Sequence, residues 1–249
     1  MDDEERQARR SSFGSVAEMY ERSRPRYPRS AVEWALGAAP LRVLDLGAGT
    51  GKLSRTLLDC GHDVLAVEPD EAMRAGLGAA LPGVTVLAGT AEQIPLPDSD
   101  VDAVVAGQAY HWFEPERAHP EIARVLRPGG TFAPMWNIRD DRAAWVSELA
   151  GILKSEDAWS GWRQEQTPRL GPLFGELAKA EFRHEQTLDL NELVGLVMSR
   201  SYVITLAREE QDRIAERVVE LTRTHPDLAG RDRFVMPYVT VTYRAARAD

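Results

Sequence analysis

The sequence predicts an open, doubly wound α/β fold in which parallel strands alternate with helices. Between residues 41 and 136, short β-rich runs alternate with helical runs that end or begin at glycine turns. This alternation implies right-handed βαβ crossovers and a parallel sheet covered by helices on both faces. A chain of 249 residues, of which 43% are hydrophobic, is long enough to bury one large core without disulfides.

The expected elements follow one another in a regular order along the chain. Five strands are predicted, over residues 41–46, 63–67, 84–87, 101–106 and 131–136. Helices are predicted between them over residues 52–60, from the capping residue Asp70 to about residue 80, and over residues 114–126. Beyond Asn137 we expect a strand near residues 182–188, helices over 192–198 and 209–222, and a β-rich tail over 234–243. In such a fold, ligands bind at the carboxyl ends of the strands.

Charge and composition narrow the classes of partner. A net charge of -9 has the wrong sign for a protein that binds nucleic acid through its phosphates, and no run approaches the roughly 18 apolar residues of a membrane span. The single cysteine, Cys60, and five scattered histidines argue against a metal site. We therefore expect a cytoplasmic protein, a monomer or homodimer, with no nucleic-acid or membrane partner.

The turn after the first strand is rich in glycine and precedes a helix. Residues 45–51 read DLGAGTG, which lets the backbone approach a ligand closely. A dinucleotide fingerprint that starts at Gly47 would need glycine where Lys52 stands. A phosphate-binding loop that ends in Gly51-Lys52 would need glycine at Leu46 and serine or threonine at Leu53. Both motifs fail at defined positions.

What remains is the DxGxGxG form, and over residues 20–136 the chain resembles the class I S-adenosylmethionine-dependent methyltransferases. The resemblance implies a mostly parallel, seven-stranded, Rossmann-like sheet with helical lid elements. It implies an N-terminal lid segment over residues 1–34, a cofactor-binding core over 35–140, and a variable lid with the last strands of the same sheet over 141–249. The implied cofactor is S-adenosylmethionine, released as S-adenosylhomocysteine.

The same resemblance implies roles for residues at the strand ends. Asp45 and the glycine turn would hold the methionine amino group and carboxylate, and Glu68 would accept hydrogen bonds from the ribose diol. Met73 would pack against adenine, although ordinary packing between helix and sheet is the alternative. Many family members carry aspartate where Thr90 stands, so the adenine contact could come from Thr90, the Ala91 backbone or Glu92. The expected cofactor-binding residues are Tyr20, Arg24, Asp45, Gly47, Ala48, Gly49, Glu68, Pro69, Met73, Thr90, Ala91, Glu92 and Gln108.

Two segments resemble a subgroup of small-molecule enzymes related to trans-aconitate methyltransferase. They are residues 20–28, YERSRPRYP, and residues 108–113, QAYHWF. The resemblance implies that the first segment follows a short helix that closes over the cofactor, with Tyr20 and Arg24 near its carboxylate. Arginine suits that role because its guanidinium binds carboxylates through two parallel hydrogen bonds.

The acceptor side is expected around the end of the fourth strand. His111 stands there and is the candidate catalytic base, since imidazole titrates near neutral pH; the alternative is a structural role beside Trp112. Expected to line the acceptor pocket are Tyr110, Trp112, Trp136 and Asn137, and expected to cover it are Trp145, Trp159 and Trp162. The acceptor could also be an acid, since four arginines that could bind it follow the fifth predicted strand: Arg139, Arg142, Arg163 and Arg169.

These observations lead to one main hypothesis and two alternatives. We expect methyl transfer from S-adenosylmethionine to a small molecule by in-line displacement, with O-methylation, as of an acid, favoured. The alternatives are a nicotinamide-dependent oxidoreductase and a non-catalytic protein that keeps the fold as a cofactor-binding module. The acceptor and the methylated atom do not follow from the sequence.

Overall fold

A computed structural model of the protein describes residues 24–153 and 167–248. Its strands are β1 Arg42–Leu46, β2 Asp63–Val67, β3 Thr85–Leu87, β4 Val101–Gly107, β5 Leu126–Arg139, β6 Ala178–Leu188 and β7 Phe234–Ala246. They form one sheet in the order β3-β2-β1-β4-β5-β7-β6. The expected seven-stranded, mostly parallel sheet is confirmed.

The helices lie largely where the hydrophobic periodicity placed them. They are α1 Arg29–Leu36, α2 Lys52–Asp59, α3 Glu71–Ala80, α4 Pro115–Val125, α5 Ala144–Ile152, α6 Leu190–Met198, α7 Ser201–Ile204 and α8 Arg208–Thr224. None of these helices is long and apolar enough to cross a membrane. Of the eight, α1, α5 and α7 were not given bounds from the sequence.

The strand β1 lies at the centre of the parallel part of the sheet. It pairs in parallel with β2 on one side and β4 on the other, while β2 pairs with β3 and β4 with β5 in the same direction. Because parallel strands end at the same edge of a sheet, the loops that follow β1, β2 and β4 are neighbours. Asp45, the glycine turn, Glu68 and Gln108, which were all predicted to bind the cofactor, lie at this edge.

The described chain divides into two compact units. The larger unit comprises Arg26–Asn137, Pro168–Phe182 and Thr240–Asp249; the smaller comprises Met1–Pro25, Ile138–Thr167 and Arg183–Val239, each within the described ranges. In the larger unit, Leu44 and Val43 belong to different apolar clusters because successive side chains of a strand point to opposite faces. The predicted divisions after residues 34 and 140 stay predictions.

The smaller unit has an apolar core of its own. Trp145 of α5 packs edge-to-face on Phe234 of β7, with ring centroids 5.7 Å apart. Leu193 of α6 and Val218 of α8 are fully buried in the same cluster. Trp145 therefore packs inside this core, with 4% of its surface exposed.

The strand β5 is longer than the sequence indicated. The strand was predicted over residues 131–136, but the structure begins it at Leu126 and keeps residues 127–130 within it as a bulge, since its pairing with β4 shifts from Val101↔Leu126 to Ala103↔Thr131. Gly129 adopts a positive φ of 71° there, which lets the chain bulge and then resume the ladder. The glycine and proline pattern of a turn and of a bulge is the same, so the sequence did not separate them.

Candidate active site

The glycine turn joins the end of β1 to the start of α2. The backbone N–H groups of Gly47 and Ala48 both donate to the carbonyl of Val67 at the end of β2, at 2.8 and 3.2 Å. Gly47 has a φ of 73°, and a Cβ there would lie 2.7 Å from the Cβ of Ala109. Gly49 also has a positive φ, of 56°, but a Cβ there would meet nothing within 4 Å. The turn is thus tightly packed at Gly47 and open at Gly49.

Asp45 ends up buried directly below this turn, with 1% of its surface exposed. The hydroxyl of Ser54, in α2, donates to its Oδ2 at 2.6 Å. Its Oδ1 is buried and has no hydrogen-bond partner within residues 24–153 and 167–248. Burial raises the pKa of Asp45 to about 7, against the opposing effect of the Ser54 hydrogen bonds. A ligand ammonium group would satisfy Oδ1 and favour the ionised form.

Glu68 follows β2 and links two backbone segments. Its Oε2 accepts a hydrogen bond from the N–H of Gly49 at 2.8 Å, and its Oε1 accepts one from the N–H of Asp70 at 3.0 Å. Burial raises the pKa of Glu68, while the two backbone hydrogen bonds act in the opposite direction. Each carboxylate oxygen has a second lone pair, so Glu68 can still accept from the hydroxyls of a ribose.

Residues predicted to contact adenine also pack in the core or cap helices, which the sequence did not indicate. Met73 is 3% exposed, and its backbone N–H donates to Oδ1 of Asp70 at 2.8 Å, so that Asp70 caps the start of α3. The carboxylate of Glu92 accepts from the N–H of Glu114 at 2.9 Å, which caps α4. Glu92 therefore has a structural role that the sequence gave no sign of. Pro69 is exposed, Thr90 is half-buried, and the Ala91 side chain is buried in the core.

Gln108 follows β4 in a conformation that side-chain-bearing residues rarely adopt. Its φ is 55°, and its amide nitrogen donates to the carbonyl of Asn137 at 2.9 Å. Its side-chain oxygen is buried and has no hydrogen-bond partner in the described part of the chain. Asn137 itself accepts from the Thr240 hydroxyl at 2.6 Å and donates to the carbonyl of Arg26 at 3.2 Å. Backbone strain of this kind is concentrated at functional sites.

The aromatic residues after Gln108 form a short 3-10 helix over Tyr110–Trp112. The indole N–H of Trp136 donates to Nδ1 of His111 at 3.5 Å, and the Tyr110 ring meets the Trp136 ring edge-on at 6.0 Å. The hydroxyl of Tyr110 shares a hydrogen bond with Nε2 of His119 at 3.0 Å. These contacts bring Tyr110, His111 and Trp136 together.

The electrostatics of His111 differ from the expectation. Desolvation by the surrounding protein lowers the pKa of His111 to about 3, so its imidazole is neutral across the physiological range. This direction differs from the titration near neutral pH that the sequence suggested, because the sequence does not show how the surrounding protein desolvates the half-buried ring. An imidazole with this pKa is a weak proton acceptor.

The remaining predicted residues fall in different places. Arg24 donates to the carbonyl of Ser199 at 3.4 Å within the smaller unit, where Arg142 is paired with Asp140. Arg169 is exposed, and a backbone hydrogen bond joins it to Tyr110. In the described ranges, no three His, Cys, Asp or Glu side chains are grouped so as to hold a metal ion. Outside the described residues lie Tyr20, Trp159, Trp162 and Arg163.

Comparison with known proteins gives methyltransferases over most of the chain. The methyltransferase domain family matches residues 44–133. An uncharacterized methyltransferase of Mycobacterium tuberculosis is 46% identical over 237 residues, which cover 95% of this chain and 96% of that protein. A solved structure from Anaeromyxobacter dehalogenans, provisionally assigned as a type II methyltransferase, is 29% identical and superposes with a TM-score of 0.69 over 90% of this chain and 97% of that one.

One relative of named activity matches a shorter stretch. A malonyl-[acyl-carrier protein] O-methyltransferase of Methylococcus capsulatus is 41% identical over 104 residues, which cover 39% of this chain and 38% of that protein.

Proposed function

This chain belongs to the class I S-adenosylmethionine-dependent methyltransferases, and we propose that it O-methylates a carboxylic acid of small size. Family membership sets aside the nicotinamide-dependent and non-catalytic alternatives. The residues at the strand ends fit the cofactor. The buried Oδ1 of Asp45 can accept a hydrogen bond from the cofactor's ammonium group, and the space beside Gly49 is open. We also propose that the chain belongs to the subgroup of small-molecule enzymes related to trans-aconitate methyltransferase.

The observation that carries the proposal is the setting of His111, whose Nδ1 accepts the indole N–H of Trp136 at 3.5 Å and whose basicity is lowered by desolvation. S-Adenosylmethionine, when bound, supplies an electrophilic methyl group whose transfer to a carboxylate oxygen breaks the carbon–sulfur bond and gives a methyl ester and S-adenosylhomocysteine. A carboxylate is already ionised at neutral pH, so this reaction needs no proton to be removed. A phenol, an amine or an acidic carbon would call for a base, and an imidazole with a pKa of about 3 serves that purpose poorly.

The chain's own residues would then position the reactants and exclude water. Gln108 and His111 follow β4, at the edge of the sheet where β1 and β2 also end. The rings of Tyr110 and Trp136 are fixed by their contacts with His119 and His111, which favours a rigid, largely dry surface beside the acceptor. The partial relative that methylates a carrier-bound malonyl group also supports an acid as acceptor.

The experiment uses purified protein, S-adenosylmethionine labelled in its methyl group, and a panel of acceptors. The panel contains mono-, di- and tricarboxylic acids, phenols and amines, and the products are separated and identified by mass spectrometry. We expect label in a methyl ester that mild alkali hydrolyses to labelled methanol. Label in an alkali-stable product from a phenol, an amine or a carbon atom would overturn the assignment to acids.

The matched controls are Glu68→Ala, which removes the predicted ribose acceptor, and Glu71→Ala, which removes an exposed carboxylate at the start of α3. The first should lose labelling at low cofactor concentration, and the second should retain it. Equal labelling by both variants would mean that the product does not come from the proposed site.

A further inference from the structure

A chain of hydrogen bonds within the larger unit connects β7 to the residue that follows β4. The hydroxyl of Thr240, on β7, donates to Oδ1 of Asn137 at 2.6 Å, and the Asn137 amide nitrogen donates to the carbonyl of Arg26 at 3.2 Å. The backbone carbonyl of Asn137 accepts in turn from Nε2 of Gln108 at 2.9 Å. Thr240 is fully buried and Asn137 is 6% exposed, so the link between these two residues is shielded from water.

Gln108 is held at the point where β4 ends beside β5. The last pair between these strands is Gly107↔Met135, and Gln108 then adopts its φ of 55°. The Gln108 N–H donates to the carbonyl of Met135 at 2.9 Å, while its side chain reaches the carbonyl of Asn137, two residues further along β5. Two hydrogen bonds to β5 therefore hold the strained backbone of Gln108 in place.

These contacts also fix which way the Gln108 amide is turned. A backbone carbonyl can only accept a hydrogen bond, so the amide nitrogen must face Asn137 and the oxygen must face away from it. The oxygen, Oε1, is buried and has no hydrogen-bond partner among residues 24–153 and 167–248. A buried amide oxygen is costly to leave unsatisfied, so its fixed orientation points to a ligand group that donates a hydrogen bond.

The position of Gln108 along the edge of the sheet selects that donor. Because β1 lies between β2 and β4, Glu68 and Gln108 stand on opposite sides of the glycine turn. The turn is close to the Gln108 side, since a Cβ on Gly47 would lie 2.7 Å from the Cβ of Ala109. A cofactor whose ribose is bound by Glu68 brings its methionine part here. The ammonium group of that part has three N–H bonds, enough for Oε1 and for the buried Oδ1 of Asp45.

We propose that Thr240 and Asn137 are positioning residues of the cofactor site, and that they hold Gln108 so that its Oε1 binds the ammonium group of S-adenosylmethionine. The inference rests on the cofactor and not on the acceptor, so it goes beyond the proposed methylation of an acid. An amide oxygen and an ammonium group form a charge-assisted hydrogen bond, whose strength depends on the alignment of donor and acceptor. A displaced amide would lose this bond while the adenosine part of the site kept its shape.

Gln108→Met is the first test, because methionine keeps the length of the side chain and removes the amide. Two ligands are titrated calorimetrically into the full-length protein: S-adenosylhomocysteine, and its deaminated analogue, in which hydrogen replaces the ammonium group. The analogue is titrated as a competitor of S-adenosylhomocysteine, so that weak binding is also measured. The variant should weaken S-adenosylhomocysteine binding by about 10- to 100-fold, the range for hydrogen bonds to charged groups, and change binding of the analogue by less than about twofold. Equal losses for both ligands, or no loss for either, would overturn the assignment to the ammonium group.

Thr240→Val tests the positioning role, because valine has nearly the same shape and lacks the hydroxyl that holds Asn137. It should weaken S-adenosylhomocysteine binding by about threefold or more and spare the analogue, and Thr240→Ser, which keeps the hydroxyl, should restore the affinity. Thr242→Val is the matched control. Thr242 is also fully buried on β7, but its hydroxyl makes no hydrogen bond to a residue that the structure describes, so both ligands should bind this variant normally. Unaltered affinity in Thr240→Val, or an equal loss in Thr240→Ser, would refute the positioning role.

A double variant shows whether Thr240 acts through Gln108. Once Gln108→Met has removed the amide, Thr240→Val should cause no further loss of affinity, because no amide is left to position. Losses that add in the double variant would mean that Thr240 supports the site by another route, against the proposal. No acceptor is present in these titrations, so a negative result leaves the proposed acid methylation standing. Failure of the methylation assay likewise leaves this inference standing.

Discussion

The carboxylate of Glu68 accepts a hydrogen bond from the backbone N–H of Gly49 across 2.8 Å. This contact ties the end of β2 to the glycine turn that follows β1, and Glu68 accepts a second backbone hydrogen bond from Asp70. One side chain therefore shapes the turn and offers its remaining lone pairs to a ligand. Its substitution should affect both the affinity for the cofactor and the stability of the fold.

Glu68→Ala should weaken the binding of S-adenosylhomocysteine by about 1.5 to 3 kcal/mol, because it removes charge-assisted hydrogen bonds to the ribose hydroxyls. Glu68→Gln should lose less, since the amide keeps one acceptor oxygen. Isothermal titration calorimetry measures both, and Glu71→Ala is the matched control on α3. A change below about threefold in the dissociation constant of Glu68→Ala would place the ribose elsewhere.

The glycines of the turn should separate packing from ligand binding. Gly47→Ala places a Cβ 2.7 Å from the Cβ of Ala109 and should destabilise the protein by about 3 kcal/mol through overlap and backbone strain. Gly49→Ala meets nothing within 4 Å, so its cost should be about 1 kcal/mol. Its Cβ would, however, occupy space predicted for the cofactor and should lower the affinity for S-adenosylhomocysteine at least tenfold.

Urea denaturation and calorimetric titration of the two variants check this pair of predictions. If Gly49→Ala bound S-adenosylhomocysteine as tightly as the wild type does, the open space beside Gly49 would not belong to the cofactor site. If Gly47→Ala were as stable as the wild type, the close contact with Ala109 would be readily relieved.

Asp45 should make the stability of the protein depend on pH. Its pKa rises from 3.8 to about 7 on folding, so between these values the folded state binds more protons than the unfolded state. Its contribution to stability is therefore full below about pH 4 and is lost as the pH rises to about 7. Asp45→Asn removes this effect while keeping an acceptor for the Ser54 hydroxyl.

Urea denaturation of both proteins at pH 5 and pH 8 tests the sign. The stability of the wild type relative to Asp45→Asn should fall by roughly 3 kcal/mol between the two pH values, at about 1.4 kcal/mol for each unit of pKa. Taking the difference between the proteins cancels the titration of other groups, such as His111, whose lowered pKa acts with the opposite sign. A constant difference at the two pH values would mean that Asp45 is ionised throughout.

His111→Gln should chiefly raise the Michaelis constant for the acceptor and lower kcat by less than about tenfold. The imidazole, with its pKa near 3, is neutral from pH 6 to 9, so the pH profile of the wild type should show no limb from His111 in that range. Steady-state rates over this range, for wild type and variant, make the comparison. A 10²- to 10⁴-fold loss in kcat, with a limb near pH 6 to 7 that disappears in the variant, would identify His111 as the base and argue against an acid as acceptor.

The sequence by itself determined the order of strands and helices in the parallel part of the sheet. The predicted strand at residues 63–67 coincides with β2, and Asp70 caps α3 as expected. These features are local: alternating and periodic burial, glycine turns and capping side chains act over a few residues. The spacing of Asp45, Gly47 and Gly49 was likewise sufficient to separate the methyltransferase turn from two other glycine motifs.

Only the tertiary structure decided which groups meet across long distances in the chain. The Glu92 carboxylate caps α4 through the N–H of Glu114, and the N–H of Asp140 donates to the carbonyl of Pro237. The desolvation that lowers the pKa of His111 likewise depends on the residues that surround it in space. Burial and electrostatic shifts depend on everything that surrounds a group in space. No local pattern encodes that surrounding, so the sequence pointed to the cofactor turn, while the desolvation of His111 depended on the fold.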